Sequence, residues 1–143
     1  MITDALLRVS DAQAVTTTAV STNTIDLGRA MDIGEGKELY GHFTVGTAFA
    51  GGTSTEFQVI TSDAADLSSP VVIGSSGAIA TAGLTAGKRI AVRINPQIGS
   101  TGKRYVGSRY VVVGTNTAGT VTSDIVETIQ DGQKSYASGF SVA

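Results

Sequence analysis

The sequence predicts an all-β chain, a jelly-roll-like β-sandwich of about eight antiparallel strands. Three observations predict it. Residues 103–113 place Val106, Ser108, Tyr110 and Val112 on one side and Tyr105, Gly107, Arg109 and Val111 on the other, a two-residue period rich in β-branched and aromatic side chains. Eighteen glycines against two prolines, with abundant threonine, serine and valine, suit many short strands joined by turns. No window carries the 3.6-residue apolar stripe of an amphipathic helix. The 103–113 stretch lacks proline, so it is expected to be a central strand paired along both edges.

Taken in order, residues 5–9, 14–20 and 24–27 are apolar or threonine-rich and predict one or two edge strands, the last ending at Gly28. A loop with three glycines follows, and then Leu39, Gly41, Phe43 and Val45 alternate with Tyr40, His42 and Thr44, a half-buried strand. A Gly-Gly loop precedes a strand over 56–61, with Phe57 and Val59 on one face and Glu56, Gln58 and Ile60 on the other. Residues 62–70 have room for one helical turn before Pro70 stops it. Short strands are expected at 71–74 and 78–80. Over 88–94, Ile90, Val92 and Ile94 face in while Arg89, Ala91 and Arg93 face out, and Asn95-Pro96 ends the run. After the central strand, 120–129 alternates less cleanly, with Val121, Ser123, Ile125 and Glu127 opposite Thr122, Asp124, Val126 and Thr128. One domain is expected over 1–130, with 131–143 as a C-terminal arm or tail.

Composition narrows the function. Ten basic and twelve acidic residues argue against the basic surface that nucleic-acid binding needs. Cysteine is absent, which removes disulfides and thiolate metal sites. Asp4 and Arg8 break the short apolar run at the start, arguing against a secretory signal or a membrane span.

Candidate sites are few. His42, the one histidine, falls on the strand side opposite Phe43, which predicts a surface or interface position. Asp63 and Asp66 lack the acid spacing of a dedicated calcium loop and read as solvated loop carboxylates. No Gly-x-Ser-x-Gly elbow accompanies the serines, and Gly34-Glu35-Gly36-Lys37 lacks the spacing of a phosphate loop. The expectation is therefore a non-enzyme with no catalytic residue, cofactor or metal. Arg89, Arg93 and Arg109 would share an outward face if their two strands pair as a hairpin, making an ion-pairing patch for an acidic partner. Beyond the turn signal Asp131-Gly132, Tyr136 and Phe140 fall on one parity of a strand-like stripe. They are expected to contact a neighbouring subunit or larger assembly.

Several stretches carry a family resemblance. They are Leu7-Arg8-Val9-Ser10-Asp11-Ala12-Gln13-Ala14-Val15-Thr16, Ser21-Thr22-Asn23-Thr24-Ile25-Asp26-Leu27-Gly28, Asp32-Ile33-Gly34-Glu35-Gly36, the segment from Thr61-Ser62-Asp63 to Leu67-Ser68-Ser69-Pro70, and that from Arg104-Tyr105-Val106 to Tyr110-Val111-Val112. Over roughly 5–130 the chain resembles the capsid cement, or decoration, proteins of tailed bacteriophages, through a pattern of turns and strand ends. The resemblance implies a small jelly roll, made in the host cytoplasm, that sits on the outer surface of a phage head as a homotrimer. There it bridges subunits of the major capsid protein, with no nucleic acid or membrane as partner. Residues 131–143 depart from the pattern, since similar chains are expected to end soon after the last strand. The alternative is another virion module or a carbohydrate- or receptor-binding β-sandwich, for which four Tyr, four Phe and no Trp offer a poor aromatic platform.

Overall fold

The structure, a computed structural model, describes residues 3–96 and 102–129. After a single 3-10 turn over Ala5–Leu7, capped by the Asp4 carboxylate, the strands are β1 (Arg8–Ala14), β2 (Ala19–Val20), β3 (Ile25–Asp26), β4 (Tyr40–Val45), β5 (Ser54–Ser62), β6 (Val71–Ala80), β7 (Arg89–Arg93), β8 (Tyr105–Val113) and β9 (Thr120–Val126). One sheet has the order β1-β9-β4-β7 and the other β2-β8-β5-β6, with β3 also on β8; every pairing is antiparallel. The pairs β1/β9, β2 and β3/β8, β4/β7 and β5/β6 are nested like the rungs of one long hairpin, which rolls up so that β4 also meets β9 and β5 also meets β8. This is jelly-roll winding. Since β2 and β3 lie in succession along β8 (Val20↔Arg109, Ile25↔Val106), they form one interrupted strand, and eight strand positions result, as the sequence predicts.

The central role expected for 103–113 is met: β8 is flanked by β5 on one edge and β2 and β3 on the other. Its alternation also holds, with Val106, Ser108 and Tyr110 buried between the sheets. Three expectations need correction. Residues 5–7 form the 3-10 turn rather than strand. The two strands expected at 71–74 and 78–80 are one strand, β6, kept continuous by register shifts opposite β5 and by Gly77 at φ 69°. Residues 63–70 carry a turn but no helix, with Leu67 and Ser69 at positive φ.

The core is an aromatic cluster between the sheets. Phe43 and Phe57 approach at 5.4 Å, Tyr110 stands edge-on to both at 6.2 and 5.9 Å, and Phe49 joins from the side. Gly41 also faces inward, where an added methyl would overlap Val59 from the opposite sheet; only glycine lets β4 and β5 approach this closely. A polar seam crosses the same interior. Ser108 and Ser123 Oγ atoms lie 2.8 Å apart, Tyr110 donates to Ser10, and Ser10 donates to Gln13.

The edges of the two sheets are stitched to each other. Asn23 N donates to the Val9 carbonyl on one side of the sandwich, and Asn95 N donates to the Ile73 carbonyl on the other. The two ends differ. At one, the loops 15–18, 46–53, 81–88 and 114–119 knit together through Asn116 N to Thr16 O, Phe49 N to Leu84 O, Thr117 N to Ala50 O and Ala50 N to Ala118 O, and their only exposed large hydrophobic neighbour among the described residues is Val113. The other end gathers the 3-10 turn, the loops 27–39 and 63–70, and residues 94–96 and 102–104, joined through Leu27 N to Arg104 O, Ile94 N to Leu39 O and Gly102 N to Asp32 Oδ1.

Candidate assembly surface

This second end concentrates the exposed apolar surface. Of the six large hydrophobic side chains exposed among the described residues, Leu6, Leu7, Met31, Val71 and Val72 are at this end, and only Val113 is at the other. Leu6 is 85% exposed. Strand direction explains the grouping, because β1, β4, β6 and β8 all begin here and their entry segments carry these residues. Between the two sheets at this end opens an apolar pocket of about 180 Å³, lined by Leu7, Ile25, Ile33, Leu39, Val106 and Ile125 with the exposed Glu127 at its margin. Pockets of this character suit an apolar group.

Several charges around the same end are paired. Arg104 grips the Asp26 carboxylate through Nε and Nη2 at 2.8 and 2.9 Å while its guanidinium lies over the Tyr105 ring. That hydrogen bond, together with one from Gly28 N, holds the Asp26 carboxyl down at about 2. Lys103 meets Asp63 at 2.8 Å, Lys37 meets Glu127 at 2.6 Å, and Arg93 meets Glu38 at 2.8 Å. Glu38 also accepts from Tyr40 Oη, which raises the Tyr40 phenol above its ordinary value. The result is an apolar surface with several paired charges at its margin.

The three arginines expected on one face are not brought together. β7 pairs with β4 in one sheet and β8 lies in the other, so the β7–β8 hairpin that the expectation required does not form. Arg89 and Arg93 lie opposite Thr44 and Tyr40, whereas Arg109 lies opposite Gln58 and Val20 on the far side of the sandwich. Arg109 faces Glu56, whose carboxyl is held below its usual range mainly by the Ser75 hydroxyl. Tyr136 and Phe140 lie outside the described residues.

His42 is also corrected, being 2% exposed rather than at the surface. It is in the middle of β4, between Ala91 and Asp124. Asp124 is itself buried and takes a 2.9 Å bond from Arg8 Nε, an ion pair the sequence reading missed. The one available signal was the acid that spoils the alternation of 120–126. Asp63 is engaged by Lys103, and Asp66, which accepts from Ser68 N, is held below its usual range by the Ser68 side chain first and by this backbone bond second. Among the described residues no group of three or more His, Cys, Asp or Glu is placed to hold a metal ion, and no helix is long and apolar enough to cross a membrane.

Compared with known proteins, the chain matches the family described as Bbp16 over residues 9–125, from β1 into β9. No curated protein matches it.

Proposed function

The chain belongs to the phage-related Bbp16 family, and from that premise we propose that it is a capsid cement protein. In this reading it binds the outer surface of a phage head as a homotrimer, bridges subunits of the major capsid protein, and stabilises the shell by contact rather than by chemistry. The observation that carries the reading is the asymmetry of the sandwich. Among the described residues one end displays Leu6, Met31, Val71 and Val72, and the other displays Val113 alone. A concentration of exposed apolar side chains at one end marks an interaction surface. We assign that end to the capsid.

The test is co-sedimentation with shells assembled from the major capsid protein alone. Leu6→Asp combined with Met31→Asp should weaken binding at least tenfold, and Val113→Asp at the opposite end should leave it unchanged. Full retention of the double variant, or loss of binding on changing Val113 alone, would refute the assignment.

A further inference from the structure

The apolar end contains one side chain whose polarity a mild oxidant can change. Met31 is 39% exposed there, among leucine and valine side chains that are inert to peroxides. The sequence holds no cysteine, and its other methionine, Met1, lies outside the described residues, so among the described residues the Met31 thioether is the exposed sulfur of this surface. The backbone beside it is pinned. The Met31 carbonyl packs so closely on Gly102 that a methyl group there would overlap it, and Asp32 Oδ1 accepts from Gly102 N at 2.6 Å. Two residues on, Ile33 packs against the core and lines the apolar pocket. Anchored in this way, the segment holds the Met31 side chain at the surface whatever its polarity. We propose that Met31 is an oxidation site, at which a peroxide converts the thioether to the sulfoxide and weakens docking at this end. This inference rests on the capsid reading and adds a means of regulating that contact.

The step is a two-electron oxygen transfer. A lone pair of the Met31 sulfur attacks one oxygen of hydrogen peroxide, the O–O bond breaks as the S–O bond forms, and the departing hydroxide takes the remaining proton and leaves as water. Sulfur is oxidised and the peroxide reduced, with no further reactant. An apolar, polarisable group thereby becomes a strong hydrogen-bond acceptor. An apolar contact on the partner gives that oxygen no donor, so stripping its water opposes association. Met31 lies outside the core cluster between the sheets, and the penalty therefore falls on docking more than on folding.

Hydrogen peroxide provides the test. Trypsin separates the two methionines, since Met31 lies between Arg29 and Lys37 while Met1 lies before Arg8, so mass spectrometry can place the added oxygen. Treated chain carrying one oxygen on the 30–37 peptide should co-sediment with shells of the major capsid protein about tenfold more weakly than untreated chain. Its melting temperature should stay within about 3 °C of the untreated value, which assigns the loss to the surface and not to the fold. Methionine sulfoxide reductases of both stereospecificities, with dithiothreitol, should restore binding. In Met31→Leu, peroxide should leave binding at whatever level that variant shows untreated. A 30–37 peptide that stays unoxidised, unchanged sedimentation, a larger fall in melting temperature, a loss the reductases do not reverse, or an equal loss in Met31→Leu would each overturn the proposal with the capsid reading intact. Untreated chain that does not sediment with the shells would overturn the capsid reading, and this proposal with it.

Discussion

Tyr110 Oη donates a 2.7 Å hydrogen bond to Ser10 Oγ across the interior of the sandwich, joining β8 of one sheet to β1 of the other over 100 residues of sequence. Burial pushes the phenol up to about 12. Because the folded value lies above the ordinary value near 10, the neutral phenol stabilises the fold fully below about pH 10, and that contribution is lost as pH rises toward 12. Tyr110→Phe should cost about 1 kcal/mol at neutral pH and flatten the alkaline fall in stability, both measurable by urea denaturation across pH. An alkaline limb unchanged in the variant would show that another group sets it.

The Arg8–Asp124 pair should matter more than the ion pairs around the open end. Asp124 is almost fully buried, so Arg8→Ala leaves a carboxylate in the outer face of the sheet without its principal partner. With Arg8 itself about one-third exposed, the cost is discounted to about 1–3 kcal/mol. Arg104→Ala frees an Asp26 that is already half exposed, so its effect should be smaller, present at neutral pH and shrinking in acid, where the parent loses the same contribution. The Asp26 carboxyl is lowered in the folded state, so its contribution is present above the ordinary value near 4 and is lost as pH falls toward 2. Thermal melts of both variants at pH 7 and pH 3 separate the two cases.

Leu67→Ala should be among the costlier single changes outside the main core. The 63–70 loop turns back so that Leu67, 1% exposed, covers Gly107 on the outer face of β8, where any side chain at 107 would collide with it. Ile60, the cross-strand partner of Gly107, is fully buried on the same side. Emptying this small second core should cost about 2–4 kcal/mol in equilibrium unfolding. A loss under about 1 kcal/mol would mean that the loop is held by its own hydrogen bonds alone.

Self-association should not proceed by strand addition. The edges of the two sheets are already bridged to each other at Asn23–Val9 and Asn95–Ile73, so the proposed trimer must use ends or faces. Light scattering should give three times the 14.5 kDa chain mass at micromolar concentration or on the capsid. Amide exchange of β1 and β7 should not slow on assembly. A monomer both in solution and on the particle would dismiss the trimer.

What the sequence revealed was the part of the fold that depends on local alternation. β7 and β8 were legible because inward Ile90, Val92, Val106 and Tyr110 alternate strictly with outward residues. The arginine patch failed because alternation reports the face of a strand and not its sheet, and in nested winding the successive strands β7 and β8 lie in opposite sheets. The burial of Ile60 and Asp124 was not legible for a related reason. Each sits on an outer face that something else covers, a property of the folded chain that no two-residue period encodes. The apolar end surface was equally hidden, since its residues come from positions as distant as Leu6 and Val72 and only strand direction gathers them.

The nesting of the strands also orders events during synthesis. β5 and β6 are joined by the shortest span of any pair and can form as soon as both leave the ribosome, whereas β1 must wait for β9, 116 residues downstream at the Arg8–Asp124 contact. Until β9 emerges, β1 lacks its ladder and β4 lacks one of its two neighbours, so the nascent chain holds an unfinished sheet with its apolar face open. Quality control therefore falls on the last strand: a chain cut before Thr120 is not a shortened version of this protein but an aggregation-prone fragment of it.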